Sequence, residues 1–240
     1  MNPIEDLVVA YRVLAEHGVI DGYGHVSLRS AADPQRYFIS RSLAPELVTE
    51  ADIMEFDLDS NPLDPRGRQM YSERFIHGQI YKSRPEVNAV VHNHSPSVIP
   101  FGITPVPMRP VYHMSAFVGM GVPVFEIRDV ERDSDMLVRS NPLGQALAKC
   151  LGGCAAALMR GHGAVVVAER ISTVVGRSIY LELNARLQLQ ALALARPEQI
   201  NYLEGGEIEK TTRMNDFMRA WELWRAKVLR QLQAGKPRRG

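Results

Sequence analysis

Asn88-Ala89-Val90-Val91-His92-Asn93-His94-Ser95 is the stretch from which the rest of the chain can be read. Asn88 to Val91 is short, apolar and β-branched, and the turn-forming pair Arg84-Pro85 precedes it, so it reads as a buried strand. Alternate strand residues share a face, so His92 and His94 project the same way, about 6–7 Å apart at Cα. Ring nitrogens so placed can both reach one metal ion at roughly 2.0–2.2 Å. A third histidine, His162, lies in Arg160-Gly161-His162-Gly163, where the glycines remove bulk and let the backbone bend closely. The competing reading is a pair of hydrogen-bonded histidines at a strand end. The glycine-framed third histidine favours the metal.

Outward from this strand, the pattern alternates between short apolar runs and helical stripes. Ile4 to Glu16 carries Leu7, Val8, Tyr11, Leu14 and Ala15 at helical spacing and stops at Gly18. Strand-like pieces follow at His25–Arg29, Tyr37–Ser40 and Ile53–Leu58, with a single helical turn expected at 44–48 and a loop at 61–67. Ser72 is positioned to cap a helix running to about Lys82. Pro100 to Pro110 reads as a proline-rich loop, Val122 to Ile127 as a further strand, and Asn141-Pro142 as a helix start. Residues 154–159 and 164–168 read as strands joined by the Arg-Gly-His-Gly turn, and 172–194 and 215–232 as long helices. With no linker, repeat or low-complexity segment, an α/β fold with a single domain over 1–240 is expected. The tail from about 233 is expected to be flexible.

Composition narrows the function class. The chain has 240 residues, 45% hydrophobic and 23% charged, as in ordinary globular proteins. Its net charge of +1 argues against a nucleic-acid partner, and Lys236 to Arg239 is the one basic run. No apolar stretch reaches the roughly 18–20 residues of a membrane span, and the N-terminus lacks a signal-peptide pattern. Two cysteines, Cys150 and Cys154, make no disulfide framework and read as small hydrophobes in a reducing, cytoplasmic setting.

Several side chains could do chemistry beside the histidines. Three neutral imidazoles leave a metal at least one open position, which marks a catalytic site more than a structural one. Glu73 opens the helix leading into the histidine strand and reads either as an acid/base or as a favourable helix-dipole charge. Ser72 reads as a cap first and a ligand contact second, and His77 as structural. His25 follows two glycines at a strand start. Arg41, between Ser40 and Ser42, could receive a carboxylate bidentately or be an ordinary strand-end arginine. His113 follows the proline-rich loop and could face a site or cap a helix.

Taken together, Gly24-His25-Val26-Ser27, Ser40-Arg41-Ser42, Ser72-Glu73, the run from Ile80 to Ser95 and Arg160 to Val167 resemble the class II aldolase/adducin family. The resemblance covers most of the chain. It implies an α/β/α sandwich on a mostly antiparallel sheet, a cyclic tetramer with active sites between neighbouring subunits, and one divalent metal ion per subunit. The metal ligands it implies are His92, His94 and His162, and the acid/base glutamate is Glu73. Imidazole ligands suit manganese, zinc, iron or cobalt. Adducin-like members lack the metal histidines, which this chain keeps.

Departures from the sugar-phosphate members point to a branch. His25 replaces the asparagine that meets the substrate's oxyanion and phosphate, Ser40-Arg41-Ser42-Leu43 replaces Thr-Pro-Ser-Gly, and His113 aligns with the aldolase tyrosine. These changes disfavour a phosphate pocket and imply a cationic one, with Arg41, Ser42, Ser72 and His113 against the substrate. The pattern resembles decarboxylases of hydroxylated aromatic or ring-cleavage dicarboxylates, such as 3,4-dihydroxyphthalate, in aromatic-compound catabolism. Retro-aldol cleavage and such decarboxylations both leave an enolate, which a divalent cation stabilises. Glu73 or His25 would deliver the proton. The alternatives are an aldolase or epimerase acting on a hydroxy-keto acid or sugar phosphate, and a non-catalytic scaffold.

Overall fold

The computed structural model describes residues 2–234, and the strand read at 88–91 lies at the middle of its sheet. Strand β4 (Ala89–Asn93) pairs antiparallel with β1 (His25–Arg29) on one side and β7 (Gly163–Ala168) on the other. Beyond β1 come β2 (Arg36–Ser40) and β3 (Ile53–Asp57), and beyond β7 come β6 (Ala156–Met159) and β5 (Val124–Phe125). The resulting order is β3-β2-β1-β4-β7-β6-β5, antiparallel except for the short β5–β6 pair. Strand β4 runs two residues further than its sequence reading, so His92 is itself a ladder residue, opposite His25 on β1 and Val165 on β7.

Helices cover both faces, which is why the central strands are apolar throughout instead of alternating with polar residues. Ala89 and Val91 pack with Val26, Ala164 and Val166 under α1 (Pro3–Glu16), α5 (Ile171–Leu194) and α7 (Met218–Ala234). Val90 packs with Val165 and Val167 under α2 (Phe75–Ser83) and α4 (Asn141–Leu151) on the opposite face. Because side chains alternate, His92 shares the α2 face with Val90. The α/β/α sandwich is therefore present, and the histidine strand sits in its central layer.

Local chemistry sets the ends of these elements. Asn2 caps α1 by accepting from the Ile4 amide at 3.0 Å, with Pro3 at the first helical position. Ser140 caps α4 by accepting from the Leu143 amide, so the cap stands one residue before the Asn141 that the sequence pattern favours. Buried Arg29 at the end of β1 donates to the carbonyls of Tyr81 and Arg84 at 2.7 and 3.0 Å, satisfying carbonyls at the C-terminal end of α2. It also donates to Val87 and Pro34. Arg225 on α7 holds Asp6 on α1 at 2.6 Å, joining the two terminal helices.

Four readings need correction. Helix α2 begins at Phe75, after an irregular turn at 72–74, so Ser72 does not cap it and Glu73 precedes its first turn. The strand expected over 122–127 shrinks to Val124–Phe125, because a 3₁₀ turn takes Ile127–Asp129. The proline-rich loop holds the short helix α3 (Ile99–Ile103), and a 3₁₀ segment occupies His113–Met120. Helix α6 (Gly206–Met214), polar and exposed with no apolar stripe to announce it, precedes α7. Of the tail expected from 233, residues 233 and 234 close α7, and the rest lies outside the described residues. Among the described residues, no helix is long and apolar enough to cross a membrane.

Candidate metal centre and active site

Glu73, His92, His94 and His162 converge from three segments: the turn before α2, the end of β4 and the turn between β6 and β7. One ligand atom from each lies within 4.8 Å of all the others. His94 and His162 bring their Nε2 atoms to 3.1 Å, and Glu73 Oε2 is 3.4 Å from His92 Nε2 and 3.5 Å from His162 Nε2. The tight β6–β7 turn makes the third position possible. Gly161 takes a φ of +63°, and a Cβ at Gly163 would stand 2.0 Å from the Asn93 carbonyl oxygen. Only glycine lets that turn close against β4.

These residues fit a divalent metal ion. His92 Nδ1 lies 3.2 Å from the Ala164 carbonyl, and His162 Nδ1 lies 2.8 Å from the Met136 carbonyl. Donation to those carbonyls fixes both imidazoles with Nε2 lone pairs turned to the centre, the usual outer-shell arrangement around a ligating histidine. His92 Nε2 is buried without a hydrogen-bond partner, which a metal would supply. Burial opposes charge on Glu73, but the neighbouring His92 and His162 outweigh it and hold the carboxyl well below its usual range. Burial likewise lowers His94, helped by His92 and His162, to about 4. His162, despite burial, is raised by Glu73. A carboxylate facing imidazoles in this way stabilises positive charge, whether protons or a dication.

The cluster opens into a cavity of about 600 Å³. Its polar wall is His25, Glu73, His92 and His94, with Ser42 and Ser72 at the side. Leu43, Ala44, Leu47 and Leu137 supply apolar surface, and Tyr71 and Tyr23 supply rings. Tyr23 is largely exposed, with its ring centroid 6.5 Å from that of His94.

The family model described as the class II aldolase and adducin N-terminal domain matches residues 5–189. The chain belongs to this family. Decarboxylase tropJ of Talaromyces stipitatus is 34% identical, over 97% of this chain and 95% of that protein. The 3,4-dihydroxyphthalate decarboxylase of Arthrobacter keyseri is 31% identical over 78% of this chain and 77% of its own length. Among solved structures, the L-fuculose 1-phosphate aldolase of Glaciozyma antarctica superposes with a TM-score of 0.78, covering 98% of this chain and 91% of its own at 22% identity. The shared fold is thus that of class II aldolases, while these two relatives in sequence are decarboxylases.

Against the family pattern, the remaining candidate residues divide. His25 lines the cavity, as do Ser42 and Ser72. Arg41 does not: its Nε is bonded to Asp52 at 2.6 Å, and no Arg or Lys is among the residues lining the cavity. Among the described residues, the cationic pocket expected from Ser-Arg-Ser is therefore not formed, because Asp52, eleven residues on, takes the guanidinium. His113 is exposed on its 3₁₀ segment, with its ring against Tyr112, and lies outside the cavity.

Two features escaped the sequence reading. The loop at 136–138 clamps the centre from outside: the Met136 carbonyl receives His162, the Val138 amide donates to Glu73 Oε1 at 2.9 Å, and Leu137 lines the cavity. Met136 takes a left-handed φ of +74°, the kind of strained backbone that collects at functional sites. Nothing in Asp135-Met136-Leu137-Val138 announces this, since the contacts are made by backbone atoms. His77, read as structural, is wholly buried and bonded to His25. Its place four residues past Glu73 hinted at nearness to the site, but nothing in the sequence hinted at the pairing with His25.

Proposed function

We propose that this protein is a metal-dependent decarboxylase of a hydroxylated aromatic or ring-cleavage carboxylic acid, 3,4-dihydroxyphthalate being the model compound. The observation carrying the reading is the convergence of His92, His94, His162 and Glu73 beside a cavity whose wall also carries leucines and tyrosines. Kinship with decarboxylases over most of the chain supports it. His92, His94 and His162 would hold the ion, of which manganese, zinc, iron and cobalt are all compatible with imidazole ligands. When bound, a divalent ion supplies Lewis acidity to adjacent substrate oxygens and to the enolate left by C–C cleavage.

The chain's own residues supply the rest. Glu73, ionised and fixed through Oε1 by the Val138 amide, accepts the hydroxyl proton of the substrate through Oε2 and returns it to the ring carbon bearing the carboxylate. Carbon dioxide leaves as the C–C electron pair restores the ring, and solvent supplies one proton to the product oxygen. The leucines and Tyr71 hold the ring and exclude water, and Ser42 and Ser72 offer hydroxyls at the rim. We further propose a cytoplasmic homotetramer in which His113 faces the cavity of a neighbouring subunit.

The test is a panel of hydroxyaryl and semialdehyde mono- and dicarboxylates, alongside sugar phosphates, scored for carbon dioxide and for loss of 44 mass units. Carbon dioxide release from a hydroxyaryl acid supports the reading. Cleavage of a sugar phosphate faster than any acid in the panel replaces it with an aldolase.

A further inference from the structure

Strand β1 and helix α2 interleave four polar side chains beneath the cavity floor. His25 and Ser27 are two apart on β1 and so share the face toward α2. His77 and Tyr81 are four apart on α2 and so stand one above the other on one side of that helix. His25 Nδ1 meets His77 Nε2 at 2.6 Å, His77 Nδ1 meets Ser27 Oγ at 2.6 Å, and Ser27 Oγ meets the Tyr81 hydroxyl at 2.7 Å. All four residues are buried. Among the described residues, His25 Nε2 has no hydrogen-bond partner, and it is the nitrogen left for the cavity its ring lines.

The direction of this chain follows from its inner end. The Tyr81 hydroxyl has two acceptors in reach, Ser27 Oγ at 2.7 Å and the Asn88 carbonyl at 3.5 Å. An O–H···O bond is best near 2.7–2.8 Å and poor at the longer distance, so Tyr81 donates to Ser27. Ser27 then has its own proton for His77 Nδ1. A neutral imidazole accepting at Nδ1 carries its proton on Nε2, so His77 donates to His25 Nδ1. His25, accepting there, must carry its proton on Nε2.

We propose that His77, with Ser27 and Tyr81 behind it, is a positioning residue that holds His25 as the neutral Nε2–H tautomer, making His25 a fixed hydrogen-bond donor to the oxyanion that forms in the cavity. Both rings are buried and, among the described residues, make no ion pair, an environment that favours neutral imidazole. The relay ends in the core at Tyr81, whose own proton burial holds tightly. It therefore imports no protons, and its effect is to orient. The identity of the oxyanion rests on the decarboxylase reading, whereas the tautomer does not.

The two are tested separately. Zinc-loaded protein labelled with ¹⁵N-histidine reports each tautomer from its ring-nitrogen shifts, and the His25 signals are assigned by their loss in His25→Asn. We expect His25 as neutral Nε2–H at neutral pH. A neutral Nδ1–H form or an imidazolium overturns the proposal whatever the substrate. On a hydroxyaryl acid that the wild type decarboxylates, His77→Gln can still donate to His25, but His77→Glu can only accept and reverses the tautomer. His77→Glu should lose about 10²-fold in kcat, the scale of one oxyanion donor, with metal content kept, and His77→Gln should stay within about tenfold of the wild type. Equal or faster turnover by His77→Glu overturns the proposal, and if that variant fails to fold, the wild-type spectrum decides.

Discussion

At the scale of single residues, Glu73 divides its work between two oxygens. Oε1 is taken by the Val138 amide and Oε2 faces the Nε2 atoms of His92 and His162. Glu73→Gln preserves shape and the amide contact but removes the proton acceptor. Its turnover should fall by roughly 10²–10⁴ with bound metal retained, and near-normal turnover measured on fully loaded protein would remove Glu73 from the chemistry. Replacing His92, His94 or His162 with alanine should instead lower metal content itself, read by elemental analysis, while the circular dichroism spectrum is unchanged. Arg41 provides the contrast. Its partner is Asp52, in a part-exposed pair of the kind worth about 0–1 kcal/mol. Arg41→Ala should therefore leave kcat/KM within a few-fold. A loss of a hundredfold or more would return Arg41 to the substrate.

At the scale of elements, the site depends on which face of β4 the histidines take, and that was legible. Strand alternation put His92 and His94 together, and the glycine frame brought His162 to them, because both signals live in side-chain pattern and backbone permissiveness. The turn before α2 was read as helix because Ser72 and Glu73 imitate a cap, although hydrogen-bonded helix starts only at Phe75. The 136–138 clamp was illegible because backbone atoms make its contacts. The His25–His77 pair was illegible because it joins β1 to α2 across 52 residues. Burial of His77 has a measurable consequence: desolvation, with His92 nearby, lowers it to about 3, so the folded chain binds fewer protons than the unfolded one below the ordinary histidine value. Stability is then full above about pH 6.5 and is lost as pH falls below it, by about 2 kcal/mol at pH 5 from this one group. Denaturant unfolding of chelator-treated wild type and His77→Gln at pH 7.5 and 5 checks this, the variant showing the shallower loss.

At the scale of the whole molecule, the α/β class was legible in short apolar strands set among helical stripes, while the layered sandwich was legible through the family resemblance; a two-sided cover is the arrangement that buries such strands. The short β5 and the polar α6 were not, since neither carries a periodic apolar signal. Assembly matters because His113 lies outside its own chain's cavity and, among the described residues, no Arg or Lys lines that cavity. A tetramer, measured by light scattering, with His113→Ala affecting turnover and leaving metal content unchanged, would fit a cavity completed by a neighbour. A monomer that is fully active would exclude it. The central claim is that a metal centre on three histidines drives decarboxylation, and carbon dioxide release from 3,4-dihydroxyphthalate and related hydroxyaryl acids tests it most directly. The prediction is release by metal-loaded protein, abolished by chelation and restored by adding back a divalent ion. Full release by metal-stripped protein, or none from any hydroxyaryl acid by the loaded one, would contradict it.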